Sequence, residues 1–168
     1  MNSELKLNSK LESIERFISP IEDTVVAICL IVVILGMAAT VYSRYVISGA
    51  VIGLEDICVF AGVWMYFIGA AIATRKDVHI EGGMVTLVFK NPQKVKYIKI
   101  VAKVITMLFL AYVCINACLY FQMIDAIDIR TTSLKIPKVY FFGSVIVGVI
   151  LMIFHELVGI SKMLNEKN

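Results

Sequence analysis

The side chains of this chain best suited to chemistry are few, and their spacing argues against it. Among 168 residues there are two histidines and four cysteines. His79 stands in the stretch Arg75-Lys76-Asp77-Val78-His79-Ile80-Glu81-Gly82-Gly83, which follows an oily run without a break. A zinc hydrolase would set two histidines four apart on a helix with a glutamate beside the first. Here a single histidine is followed by Ile80-Glu81-Gly82-Gly83. The paired glycines permit a turn or a close backbone approach. His79 therefore reads as a hydrogen-bonding residue at the edge of an apolar segment. The other reading is packing against a partner, with Asp77 or Glu81 facing one of its basic groups. His155-Glu156 reads as a helix cap or a lipid-interface pair. Cys29, Cys58, Cys114 and Cys118 all lie inside apolar runs. Cys114 and Cys118 are four apart, but no third or fourth ligand stands near them, as a zinc site would need. They read as apolar packing residues, and no disulfide framework is implied. No phosphate loop or dinucleotide fingerprint is present. The expectation is a chain with no catalytic residue, no metal site and no cofactor of its own.

The elements that carry these residues are oily. The composition is 60% apolar and 17% charged, with a mean hydropathy of +0.87. Soluble domains lie near 45–50% and about 25%. The excess is gathered into four blocks. Residues 24–42, 57–74 and 104–123 contain no charge, and 139–154 contain none before His155 and Glu156. A membrane-spanning helix needs roughly 20 mostly apolar residues. Barrel strands would alternate over segments of about 10 residues, which these do not. The sequence predicts an all-α integral membrane protein, residues 1–168 forming a single membrane domain. Four transmembrane helices are expected at about 21–43, 54–74, 100–123 and 138–158. The segment before the first block mixes acids and bases and precedes no small-residue cleavage site, so a cleaved signal peptide is not expected.

Lysine and arginine set the expected orientation. Twelve of them flank one side, in the N-terminal segment, between the second and third blocks, and after the fourth. Only Arg44, Arg130, Lys135 and Lys138 flank the other. Short loops rich in Lys and Arg stay in the cytoplasm, so both termini should be cytoplasmic. The net charge of +3 follows from this bias and does not suggest nucleic-acid binding. Residues 4–20 place Leu7, Leu11, Ile14, Phe17, Ile18 and Ile21 at roughly three-four spacing among charges. This fits an amphipathic helix in the headgroup plane, with Pro20 marking a turn into the first span; a frayed tail is the alternative. The lysines of 90–103 would snorkel and anchor the chain on anionic lipid.

Ion and proton pathways place ionisable groups near mid-membrane. Here Glu55, Asp56, Arg75 and Glu156 fall at block ends, and Asn116 is the deepest strongly polar residue. Nor do the blocks show the paired broken helices of a transporter built from inverted repeats. Four smooth helices suit an accessory or scaffold subunit better than a pore.

The segments VYSRYVISG (41–49) and GLEDICVFAGVWMYFIGAAIATRKDVHI (53–80) resemble the small permease subunit of the tripartite ATP-independent periplasmic (TRAP) transporters, the DctQ/SiaQ-like family. Similar too are the second span, with Trp64, Phe67, Gly69, Ala70 and Ala71 before Arg75, His79 and Ile80, and the late Thr132, Ser133, Ile136 and Pro137. The resemblance covers about 21–157. It departs at Gly53-Leu54, where relatives often carry tryptophan. It departs again at Asp56, where a second glutamate is common, and at Glu81-Gly82-Gly83. By resemblance, the chain would be the helical partner of a larger DctM/SiaM-like permease subunit in a bacterial inner membrane. The large subunit would hold the substrate and sodium sites. A periplasmic solute-binding protein would deliver an organic acid of the sialic acid or dicarboxylate class, with uptake driven by a sodium gradient and not by ATP. This chain would scaffold the large subunit and help dock the binding protein.

The candidate interface or docking residues are Arg44, Glu55, Asp56, Gly69, Arg75 and His79. Glu55 and Asp56 begin the second helix, where a cap is favoured; ion pairing with Arg44 or with the large subunit is the other reading. Gly62, Gly69, Ala70 and Ala73 offer a broad small-residue face, either internal to the four helices or turned to a partner. Two other classes stay open: a self-assembling small channel or transporter, and a membrane assembly or regulatory protein.

Overall fold

A computed structural model describes residues 2–46, 49, 52–76 and 92–165. Its helices are α1 (Asn2–Tyr45), α2 (Leu54–Arg75), α3 (Pro92–Ile127) and α4 (Val139–Asn165). All four are long and apolar enough to cross a membrane. With no water in the hydrocarbon core, a helix satisfies its backbone internally. Four polar side chains inside the spans do the same. Thr40 donates to the Gly36 carbonyl, Thr74 to Ala70, Ser144 to Phe141 and Asn116 to Tyr112. Asn116, the deepest polar residue, thus spends one amide hydrogen within its own helix and marks no polar track.

The turn expected at Pro20 is absent. The amphipathic segment and the first span form one helix of 44 residues with Pro20 inside it. Proline removes one backbone donor but already holds a helical φ. Flanking hydroxyls bond into the helix here, Ser19 to the Glu15 carbonyl at 2.8 Å and Thr24 to the Pro20 carbonyl at 2.6 Å. At 1.5 Å per residue the helix is ~66 Å long, about twice the ~30 Å hydrocarbon core.

The helices do not close into a bundle. α1 packs along α2, α2 along α4, and α4 along α3, while α1 meets α4 over a shorter stretch. The order across the row is α1, α2, α4, α3. α2 and α4 are parallel: Phe60 meets Phe141 edge-on at 5.2 Å, and Phe67 meets Gly148 farther along both helices. A Cβ on Gly148 would sit 2.6 Å from the Phe67 Cβ and 2.9 Å from its carbonyl oxygen, so this seam closes on bare backbone. Such small-residue contacts let helices approach in lipid, where no hydrophobic force draws them together. The core is correspondingly thin. Its buried apolar residues are Cys58, Ala61, Ile68, Ala71, Leu110, Ile124, Val149 and Val158. Ile28, Ile31, Ile34 and Leu35 of α1, and Leu108, Phe109 and Tyr112 of α3, are all exposed.

Candidate functional site

Two polar assemblies cap the row, one at each end. At the end where α2 begins, the chain between α3 and α4 forms a hairpin. Arg130 and Pro137 make an antiparallel bridge. The Thr131 amide donates to the Ile136 carbonyl at 2.9 Å, and the Lys138 amide to Ile129 at 2.8 Å. Asp128 and Lys135 take positive φ at the bends, and Arg130 is clamped by both oxygens of the Asp128 carboxylate. The hairpin is tied to α2 by Asp56, whose Oδ2 accepts the Leu134 amide at 2.9 Å. The Thr131 side chain and Ser133 backbone stand beside the same carboxylate. Gly53 precedes α2 with φ of 92°, and an added Cβ would strike the Leu134 side chain at 2.5 Å. Only glycine takes that backbone without strain and leaves the room.

The acidic pair therefore divides its work. No side chain caps α2. Asp56 holds the hairpin, a partner that neither sequence reading had named. Glu55 faces Arg44 across the first loop at 3.4 Å, with both side chains 66% exposed. An exposed pair of this length contributes little stability.

At the opposite end, charges from all four helices converge. Arg75, a candidate interface or docking residue at the end of its apolar block, is 11% exposed and bonds Glu22 at 3.1 Å and Asp23 at 2.9 Å, both on α1. His155, expected as a cap or lipid-interface residue, has a fully buried side chain. Its Nε2 lies 2.9 Å from the other Glu22 oxygen. Its Nδ1 faces Glu15 at 4.0 Å. Glu156 does not face lipid either: it pairs with Lys103 of α3 at 3.0 Å, and the lysine side chain is 1% exposed. Lys103 was expected to snorkel with its neighbours. Instead it runs across Gly159 of α4, where a Cβ would come within 2.7 Å of its ammonium. Lys162 of α4 closes the set on Glu15 of α1. Buried charges persist only when paired, and here each helix supplies a partner for another.

Gly69 stands away from the seams between the helices. Neither Gly69 nor Gly62 has any atom within 4 Å of its Cβ position, whereas Ala61, Ile68 and Ala71 are buried on the other side of α2. The glycine face is not internal to the four helices, and Tyr66 on it is exposed. His79 lies outside the described residues, with the rest of 77–91.

Four apolar spans form a charge-capped row with an open glycine face along α2. A family model for the DctQ component of tripartite ATP-independent periplasmic transporters matches residues 18–165. The chain belongs to this family. No match was found among curated proteins. As a DctQ component the chain is a multi-pass membrane protein and the small subunit of a transporter, not an enzyme. Among the described residues no group of acidic, histidine or cysteine side chains is arranged to hold a metal ion. The DctQ helices form a row tied by polar contacts at both ends, with broad apolar flanks.

Sequence reasoning missed Glu15, Glu22, Lys103 and the burial of His155. A signal for them existed. Asp23, Arg75, Lys103 and His155 are each the first charged or histidine residue bounding an uncharged block. Four helices that alternate in direction bring those bounds to one depth on one side.

Proposed function

We propose that this subunit scaffolds a larger DctM/SiaM-like permease subunit in a bacterial inner membrane and helps dock a periplasmic solute-binding protein. The complex would take up an organic acid of the sialic acid or dicarboxylate class. A sodium gradient would drive it, with the sodium ions on the large subunit. The observation that carries the scaffold reading is the open glycine face of α2. In lipid a helix gains from close packing against a partner, and glycines seven apart provide a smooth track for one. The absence of a polar track through the described spans supports leaving the transport chemistry to the large subunit. The basic asymmetry of the loops supports cytoplasmic termini, and so a periplasmic hairpin at 128–138. With that orientation the first part of α1, which continues the helix of the first span without a turn, extends beyond the hydrocarbon core on the cytoplasmic side.

Gly69→Leu tests the scaffold directly. The open space at its Cβ means the subunit itself should fold and be recovered in normal yield. Co-purification with the large subunit should fall several-fold, because the leucine fills the approach track. Unchanged assembly would remove this face from the interface.

A further inference from the structure

The outer side of α3 carries an uncovered seam. Ile105, Phe109, Tyr112, Asn116, Leu119 and Met123 recur at alternating steps of four and three residues, and all six are exposed. α3 is the last helix of the row and packs along α4. Its buried Leu110 and Ile124 lie on the opposite side of the helix. Steps of four and three are the heptad spacing by which two helices wind around each other, in lipid as in water. One member of the seam is not apolar. Asn116 stands inside the uncharged run 104–123. Its amide carries two N–H groups and an accepting oxygen. One N–H is spent on the Tyr112 carbonyl at 2.8 Å. Among the described residues the second N–H and the oxygen meet no partner. Hydrocarbon holds no water to take them. Asparagine in a span ordinarily bonds across to another helix, yet this one turns away from the other three.

We propose that this seam of α3 pairs with the same seam of a second copy of the chain. Asn116 selects the occupant, because an amide is complementary to itself. Two copies inserted in one orientation hold Asn116 at one depth, and a two-fold axis along the membrane normal sets each against the other. The free N–H of each then meets the oxygen of its partner. A helix of another sequence would have to place a donor and an acceptor at that depth; a second copy does so by symmetry. The apolar members of the heptad pack on either side, and a single asparagine in such a seam fixes its register. The seam faces away from α4, at the edge of the row, whereas the glycine face belongs to α2. A large subunit on α2 and a second copy on α3 therefore use separate surfaces, and the inference does not depend on the scaffold reading.

The test uses membranes carrying the full chain, with and without its large subunit, after Cys29, Cys58, Cys114 and Cys118 are replaced by alanine. Leu119→Cys, on the seam, should give a disulfide-linked dimer in high yield on oxidation. Ile34→Cys, equally exposed to lipid on α1, should give only the yield of chance encounter. Adding Asn116→Leu should lower the Leu119→Cys yield several-fold, and Asn116→Gln, which keeps an amide, should retain most of it. The leucine variant should fold normally, since the only bond it loses lies within α3. If it does not, the comparison of Leu119→Cys with Ile34→Cys in the chain with Asn116 intact still decides. Equal crosslinking at the two positions would overturn the pairing. So would a Leu119→Cys dimer indifferent to Asn116→Leu, because the amide would then hold nothing. A dimer that disappears whenever the large subunit is present would assign the seam to that subunit and overturn the inference too.

Discussion

Glu156→Gln should destabilise the subunit by about 3–5 kcal/mol, the usual cost of breaking a buried ion pair by removing one member. Lys103 and Glu156 are 1% and 4% exposed at their side chains, so neither can turn to water when the other is lost. Lys103 is further confined by the backbone of Gly159. The expected readout is a fall of roughly 10 °C in the unfolding midpoint of the purified subunit. The double variant Lys103→Met with Glu156→Leu separates charge from packing. An apolar pair of similar volume restores most of a lost buried ion pair. The double variant should therefore recover much of the midpoint that Glu156→Gln loses. If Glu156→Gln melts like the unaltered chain, the Lys103–Glu156 pair does not hold the α3–α4 seam.

Gly148→Val should also be damaging, for a different reason. The first atom of any side chain would lie 2.9 Å from the Phe67 carbonyl oxygen as well as 2.6 Å from its Cβ. A flexible side chain can move aside, but a helix backbone cannot without parting the helices. Overpacking a tight seam costs about 1–3 kcal/mol, and more when backbone must shift. The loss should include the edge contact between Phe60 and Phe141, since it lies on the same seam. Crosslinking of cysteine pairs placed along α2 and α4 would detect the separation as lost crosslinking yield. Gly143, with no atom within 4 Å of its Cβ position, is the control. Gly143→Val should crosslink normally in the isolated subunit. Equal behaviour of the two variants would show that α2 and α4 do not meet at Gly148.

The spans were legible because a hydrocarbon core imposes a length and a composition that few other environments demand. The blocks 24–42, 57–74, 104–123 and 139–154 state both in plain text. Periodicity adds little where nearly every face of a helix is apolar, and so which faces meet was not legible. That explains why Gly69 could be assigned neither inward nor outward from sequence, and why the open row of helices was not foreseen. Proline misled for a local reason. It usually punctuates helices, but Pro20 sits between two hydroxyl residues that bond back into α1. The charged staple was missed because each member is ordinary alone. Arg75, Lys103 and His155 look like residues at a membrane edge until the topology sets them side by side. Asp56 was noticed for its position at a helix start, yet its partner Leu134 is 78 residues away and offers only a backbone amide, which no residue pattern advertises.

On the proposed scaffold role, this chain is required for uptake and carries none of the transport chemistry. Proteoliposomes bearing the large permease subunit, with and without this chain, test it most directly. The measurement is uptake of the cognate organic acid, with its solute-binding protein added outside and a sodium gradient imposed inward. Sodium-driven uptake is expected with both subunits and should be lost without this chain. No flux is expected from this chain reconstituted alone. Uptake of normal rate by the large subunit by itself, or sodium-coupled flux through this chain alone, would contradict that role.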